Sequence, residues 1–214
     1  MANRAKVVTE LAGTFIFLSV IALSGAAGPL APLAIGAALA AMVYMGGHVS
    51  GAHYNPAVSF AFFLRGKLPR NDLLAYWAAQ LLGAALAFTF GYVVSGHTPG
   101  IHPGANVNAI QALAVEVVFT AALVLVIFSV AATRATQGNS YYGLAIGLTI
   151  MAAIFAGGSI SGGAYNPAVG FGATFAAALF AGGGWSDLLI YLAGPLVGAA
   201  IGAGINRWVG SPLS

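Results

Sequence analysis

Residues 47–58 read GHVSGAHYNPAV and residues 157–169 read GGSISGGAYNPAV, and what these two stretches share decides the fold. Each is a Gly-rich, irregular run ending in Asn-Pro-Ala-Val. Asn is a strong N-cap and Pro suits the first helical turn, so Asn55-Pro56-Ala57-Val58 and Asn166-Pro167-Ala168-Val169 both read as helix starts. The apolar pieces that follow, Pro56–Leu64 and Pro167–Phe180, fall short of the roughly 20 residues that a membrane crossing requires. Two short helices that begin alike and cannot span are thus set inside a much longer apolar chain.

The rest of the chain supplies the spans. Of 214 residues, 60% are hydrophobic and only 5% are charged, where a soluble domain would carry about 25% charged residues. Seven Lys/Arg scattered over the whole length form no basic stripe, which argues against a nucleic-acid partner. With no Cys there is no disulfide, thiolate metal site or cysteine nucleophile, and no thiol for a mercurial to block. The pattern predicts a multi-pass membrane protein embedded in a lipid bilayer, with spans near residues 7–27, 33–49, 72–94, 109–132, 141–157 and 187–209. No convincing signal-peptide cleavage site precedes the first.

Charge sets the path of the short pieces. If both dip in and return on the side they entered, with the N-terminus cytoplasmic, then Arg4, Lys6, Arg65, Lys67, Arg70, Arg134 and Arg207 all lie on the cytoplasmic side. A full crossing by Pro56–Leu64 would export the cluster Arg65, Lys67 and Arg70. Both pieces are therefore expected to be re-entrant, and both termini cytoplasmic.

Other features recur with the Asn-Pro pair. Glu10 with Thr14 matches Glu116 with Thr120, and Tyr76 with Gly83 matches Tyr191 with Gly198, at offsets of 106 and 115 residues against 111 for the Asn-Pro motifs. This is the mark of a duplicated three-span unit, approximately 1–100 and 105–214, within a single domain over 1–214. An odd number of spans turns the second copy upside down, so the expected fold is all-α, with six transmembrane helices and two re-entrant half-helices in an inverted repeat. The half-helices enter from opposite faces and their N-termini meet near the midplane. Irregular backbone at Gly51–Tyr54 and Gly162–Tyr165 cannot face lipid and must line something wet. Two helix N-termini, each equivalent to about half a positive charge, repel protons and other cations there.

These residues resemble the aquaporin, or major intrinsic protein, family over nearly the whole chain, from the Glu-x-x-x-Thr start of each half to both Asn-Pro-Ala motifs. The resemblance implies an hourglass pore in each subunit of a homotetramer and passive conduction of water or small neutral solutes. It also implies that Asn55 and Asn166 donate to the permeating molecule, flanked by Pro56, Ala57, Pro167 and Ala168. Carbonyls of Gly51, Ala52, His53, Tyr54, Gly162, Gly163, Ala164 and Tyr165 would line the two half-pores, and Glu10 and Glu116 would hold the loops by accepting backbone hydrogen bonds. Typical members carry Arg three residues after the second Asn, where this chain has Val169. The other filter positions fall on Ile35, Ile154 and Gly163, giving an apolar outer ring without a charged side chain. Such a ring is most similar to that of the plant tonoplast intrinsic proteins, although those usually carry His where Ile35 stands. It predicts a broad filter admitting ammonia, urea, hydrogen peroxide or glycerol besides water.

Four histidines complete the inventory. His48 and His53 flank the first irregular loop as backbone anchors, while His97 and His102 lie in an external loop, His102 being the candidate for the outer mouth. No Ser/His/Asp set, paired carboxylates or phosphate-binding loop stands in a catalytic context, and neither cofactor nor metal is expected. A carrier with alternating access is an alternative that inverted repeats and broken helices also build, and a nonconducting structural membrane protein is another. The plasma (inner) membrane is the expected location.

Overall fold

Inside hydrocarbon each backbone N–H and C=O has to be paired within its own segment, and this chain meets that demand with helices. The computed structural model describes residues 3–210 and 212–213. Eight α-helices appear among them: α1 (Arg4–Leu23), α2 (Ala31–Ser50), α3 (Pro56–Leu64), α4 (Arg70–Ser95), α5 (Ala109–Ile127), α6 (Tyr142–Ser161), α7 (Pro167–Phe180) and α8 (Leu188–Val209). Six are long and apolar, and α3 and α7, of 9 and 14 residues, are the short ones opened by Asn-Pro. In both, the Asn side chain caps the second helical residue, Ala57 or Ala168, at 2.8 and 2.9 Å.

The fifth span, α6, runs to Ser161, four residues past its expected end, and two other spans change helical form at their ends. The first span stops at Leu23, because Ser24–Leu30 tightens into 3-10 turns and breaks at Gly28, whose φ of 53° and ψ of −127° belong to no helix. The fourth keeps going past α5 as a π-turn, Phe128–Ala132. The carbonyls freed there are taken by side chains of the following loop: Thr133 Oγ1 donates to Phe128 O, and Asn139 Nδ2 to Val130 O.

Small residues let the long helices touch. A Cβ on Gly83 of α4 would lie 2.9 Å from Leu11 O of α1, and one on Gly202 of α8 would lie 3.0 Å from Ala121 O of α5. Gly91 meets Ala22 further along the first pair, so α1 and α4 run parallel. Gly194 against Glu116 and Gly202 against Val124 make α5 and α8 parallel as well. The cavity-lining core between these pairs holds Phe17, Leu39, Val43, Leu123, Ile146 and Ile150, all buried.

The two half-helices leave in opposite directions. Arg65, at the end of α3, donates from Nε to Asn206 in the last turns of α8 at 3.0 Å. Phe180, at the end of α7, stacks on Tyr92 near the end of α4, with ring centroids 4.2 Å apart. Since α4 begins at Arg70, beside the end of α3, its two ends mark opposite faces. On the basic face, Lys67 Nζ donates to Leu213 O at 3.1 Å, Arg134 N donates to Pro212 O at 3.2 Å, and Thr133 bridges Leu213.

Candidate functional site

Where α2 and α6 end, their chains unwind into the irregular loops through glycines in the left-handed region, Gly51 at φ 88° and Gly162 at φ 93°. Further left-handed residues follow: Ala52 at 51° and Tyr54 at 48° in the first loop, Gly163 at 71° and Tyr165 at 48° in the second. For non-Gly residues this conformation costs roughly 1–2 kcal/mol each, so something must hold it.

A buried carboxylate side chain does so in each half. Glu10 accepts from Ser50 Oγ (2.7 Å), His53 N (2.9 Å), Tyr54 N (2.7 Å) and Gln80 Nε2 (2.8 Å). Glu116 accepts from Ser161 Oγ (2.8 Å), Ala164 N (3.0 Å) and Tyr165 N (2.6 Å). Tyr76 and Tyr191 hydroxyls close the last helical carbonyls, Ser50 O and Ser161 O, both at 2.7 Å. Ser50, Ser161 and Gln80 are contributors that the sequence reading left out. The two serines were detectable as the same residue five places before each Asn; Gln80 has no second copy, since Pro195 stands at the matching position.

The loops are joined to each other at their tips. Asn55 Nδ2 donates to Tyr165 O at 2.9 Å, and Asn166 Nδ2 donates to Tyr54 O at 3.0 Å. An amide nitrogen carries two protons, so each Asn keeps one N–H for another acceptor while its Oδ1 caps its own helix. The carbonyls of Tyr54 and Tyr165 each accept this cross-link, and both tyrosines are fully buried, Tyr54 bordering the cavity described below. The other six loop carbonyls, of Gly51, Ala52, His53, Gly162, Gly163 and Ala164, accept no hydrogen bond among the described residues.

All six of those residues, with Asn55 and Asn166, border one cavity of about 800 Å³. At one end it reaches Ser24, Gly25 and Pro99–Ile101; at the other it reaches Thr133, Thr136 and Gln137–Asn139, on the basic face. The remaining wall is apolar, from Phe17, Leu39 and Val43 to Leu123, Ile146 and Ile150. A carbonyl stripe facing a greasy wall gives a small polar molecule replacement hydrogen bonds on one side and no sticking point on the other.

The expected outer ring is only partly assembled on that wall. Ile35, Ile154 and Gly163 border the cavity, whereas Val169 is 1% exposed, packs in the core and is absent from the cavity wall among the described residues. Its side chain sits on α7 one residue before Gly170, where a Cβ would run into Tyr191. His102 is also set apart: it is exposed, its Nδ1 lies 3.1 Å from Pro103 O, and its neighbour Ile101 is the residue that borders the cavity. Its backbone nevertheless packs on the second loop, since a Cβ on Gly162 would lie 3.0 Å from His102 N and O. His48 borders the cavity as well, and His97 lies in the loop after α4, where its N donates to Ser95 Oγ at 3.2 Å.

Two half-helices meeting tip to tip beside a cavity that reaches toward both faces define a channel-type membrane fold. Residues 2–206 match the Major intrinsic protein family, and the chain belongs to that family, whose members are channels and not enzymes. It is 37% identical over 185 residues to aquaporin NIP1-1 of Zea mays, covering 83% of this chain and 63% of the relative. It is likewise 37% identical over 174 residues to the probable aquaporin TIP3-2 of Oryza sativa subsp. japonica, covering 80% of this chain and 64% of the relative. The chain thus spans just under two thirds of the length of these relatives. Among solved structures, that of the aquaglyceroporin from Plasmodium falciparum superposes with a TM-score of 0.79 over 95% of this chain and 96% of that one, at 23% identity. At that identity the likeness shows the fold.

Proposed function

We propose that the chain is a passive channel for water and small neutral solutes, with ammonia, urea, hydrogen peroxide and glycerol as candidates, and that it excludes protons and ions. The observation that carries this reading is the cavity reaching toward both faces, where six unpaired loop carbonyls and the two Asn amides lie opposite an apolar wall. Positive helix ends at α3 and α7 point at the same crossing and disfavour cations. Ile35, Ile154 and Gly163 give the cavity an uncharged lining, which favours breadth over strict water selection. The two halves, approximately 1–100 and 105–214, act as inverted copies within one channel domain, in keeping with their matched Glu, Ser, Tyr and Asn bonds. A homotetramer in the plasma (inner) membrane, both termini cytoplasmic, completes the reading.

Stopped-flow light scattering on proteoliposomes tests it. Wild type is expected to raise permeability to water and to at least one of urea, ammonia and glycerol over empty liposomes, without saturation and without ion-driven accumulation. Ile154→Trp, which puts an indole on the cavity wall, is expected to cut solute flux more than water flux. Saturable, ion-coupled uptake would make the protein a carrier; no flux at all would make it a structural membrane protein.

A further inference from the structure

After α8 the chain doubles back across the basic face. Gly210 ends the helix in the left-handed region, at φ 74°, with its N–H on Arg207 O at 3.1 Å. Pro212–Leu213 then lies against the segment that leaves the π-turn after α5. Thr133 of that segment is extended, at φ −79° and ψ 134°, and pairs with Leu213 in an antiparallel bridge, to which Arg134 N adds its bond to Pro212 O. Lys67 Nζ, from the turn between α3 and α4, donates to Leu213 O at 3.1 Å.

The side chain of Leu213 points into the protein. It is 6% exposed and shares a buried apolar cluster with Ala57 and Ala61 of α3, Phe128 of the π-turn, and Ala199 and Ala203 of α8. With four alanines among those five, a pit is left where the three elements meet, and Leu213 fills it. Backbone pairing along an edge, with one side chain in a pit, is how an extended peptide docks on a folded surface. A fully buried Leu weights such a docked state by about tenfold or more, whereas bonds made in reach of water add little, so the side chain decides whether the segment stays.

Thr133 connects this docking to the cavity. It bridges Leu213, its Oγ1 closes Phe128 O at 2.7 Å, and it borders the cavity. The loop beyond hangs from the same point: Thr136 Oγ1 donates to Ser129 O and Thr133 O, and Asn139 Nδ2 donates to Val130 O and Thr136 O. Thr136 and Gln137–Asn139 are the border of the cavity at the basic face. The described hydrogen bonds of residues 133–139 stay within the π-turn and this loop, apart from the pairing with Pro212–Leu213. We propose that Pro212–Leu213 is a latch: docked, it holds the loop clear of the basic-face mouth of the cavity, and undocked, it lets the loop swing across that mouth. The inference deepens the channel reading and rests on it.

A nitroxide on Ala135→Cys, an exposed loop position in a chain with no cysteine of its own, reports the loop by electron paramagnetic resonance in proteoliposomes, and stopped-flow light scattering on the same vesicles reports the mouth. With Leu213 in place the label is expected to show one ordered population. Leu213→Ser, which empties the pit without adding charge beside Lys67 and Arg134, is expected to add a mobile population and to lower water permeability by about threefold. Leu213→Met, which refills the pit, is expected to keep both readings as in wild type. Lys67→Met cuts only the bond to Leu213 O from an exposed side chain and is expected to shift both readings the same way by less, so it decides the matter where Leu213→Ser fails to fold. An unchanged spectrum in Leu213→Ser or, in its stead, Lys67→Met overturns the latch, as does a mobile label with unchanged or raised permeability, or a Leu213→Met protein as disordered as Leu213→Ser. Absence of wild-type water flux overturns the channel reading instead, and the spectra still decide whether the segment holds the loop.

Discussion

At the scale of single residues, the loops depend on backbone that only glycine adopts without strain, and two glycines separate strain from crowding. Gly66, at φ 68° in the turn after α3, has open space where a Cβ would go, so Gly66→Ala carries the left-handed penalty alone, about 1 kcal/mol. Gly162, at φ 93°, has Tyr191 Oη at 2.9 Å and His102 N and O at 3.0 Å from the same point, two of the three being backbone atoms that cannot swing aside. Gly162→Ala therefore adds overpacking to strain and is expected to cost about 3 kcal/mol. Thermal unfolding in detergent should rank wild type, Gly66→Ala and Gly162→Ala in that order of decreasing midpoint. Equal midpoints for the two variants would mean that the second loop yields where the geometry says it is braced.

At the scale of elements, the short helices stay in place because a carboxylate from α1 or α5 organises the loop before them, and the two sites differ in slack. Every oxygen of Glu10 accepts twice, so an amide nitrogen introduced by Glu10→Gln faces two donors whichever way it turns. At Glu116 one oxygen accepts from Tyr165 N only, so the amide of Glu116→Gln can turn its nitrogen there and displace a single bond. With each buried unpaired donor costing about 1–3 kcal/mol, Glu10→Gln is expected to lose clearly more stability and more water flux than Glu116→Gln, by unfolding midpoint and stopped-flow rate. The recurrence of both carboxylates, both Asn-Pro pairs and both tyrosines was plain in the sequence, because duplication writes each such residue twice. Gln80 escaped for the opposite reason: Pro195 stands at its place in the second half, so no repetition drew attention to it. Val169 was placed by analogy of position, and in the structure it is buried on α7 rather than among the residues that border the cavity. The break at Gly28 falls in the gap between the first two expected spans, whereas the π-turn at Phe128–Ala132 was illegible, since hydropathy registers length of apolar chain and is blind to a change in helical pitch.

At the scale of the whole molecule, parallel pairing of α1 with α4 and of α5 with α8 gathers Arg4, Arg65, Lys67, Arg70, Arg134 and Arg207 at one end, and Lys67 and Arg134 both hold the segment Pro212–Leu213 there. Asp187 begins α8 at the other end. With the positive residues gathered at one end, that end is expected to face the cytoplasm, because positive residues flanking spans are retained there. The chain also offers a clean way to measure it, having no cysteine of its own. Ala135, in the loop between α5 and α6 on the basic face, and Ser186, just before α8, are both exposed and touch neither the Asn pair nor the glutamates. In intact cells a membrane-impermeant maleimide is expected to label Ser186→Cys at once and Ala135→Cys only after permeabilisation. The opposite pattern would place the basic face outside and invert the channel in its membrane, and labelling of both from one side would mean that α6, the long helix between the two positions, does not carry the chain across.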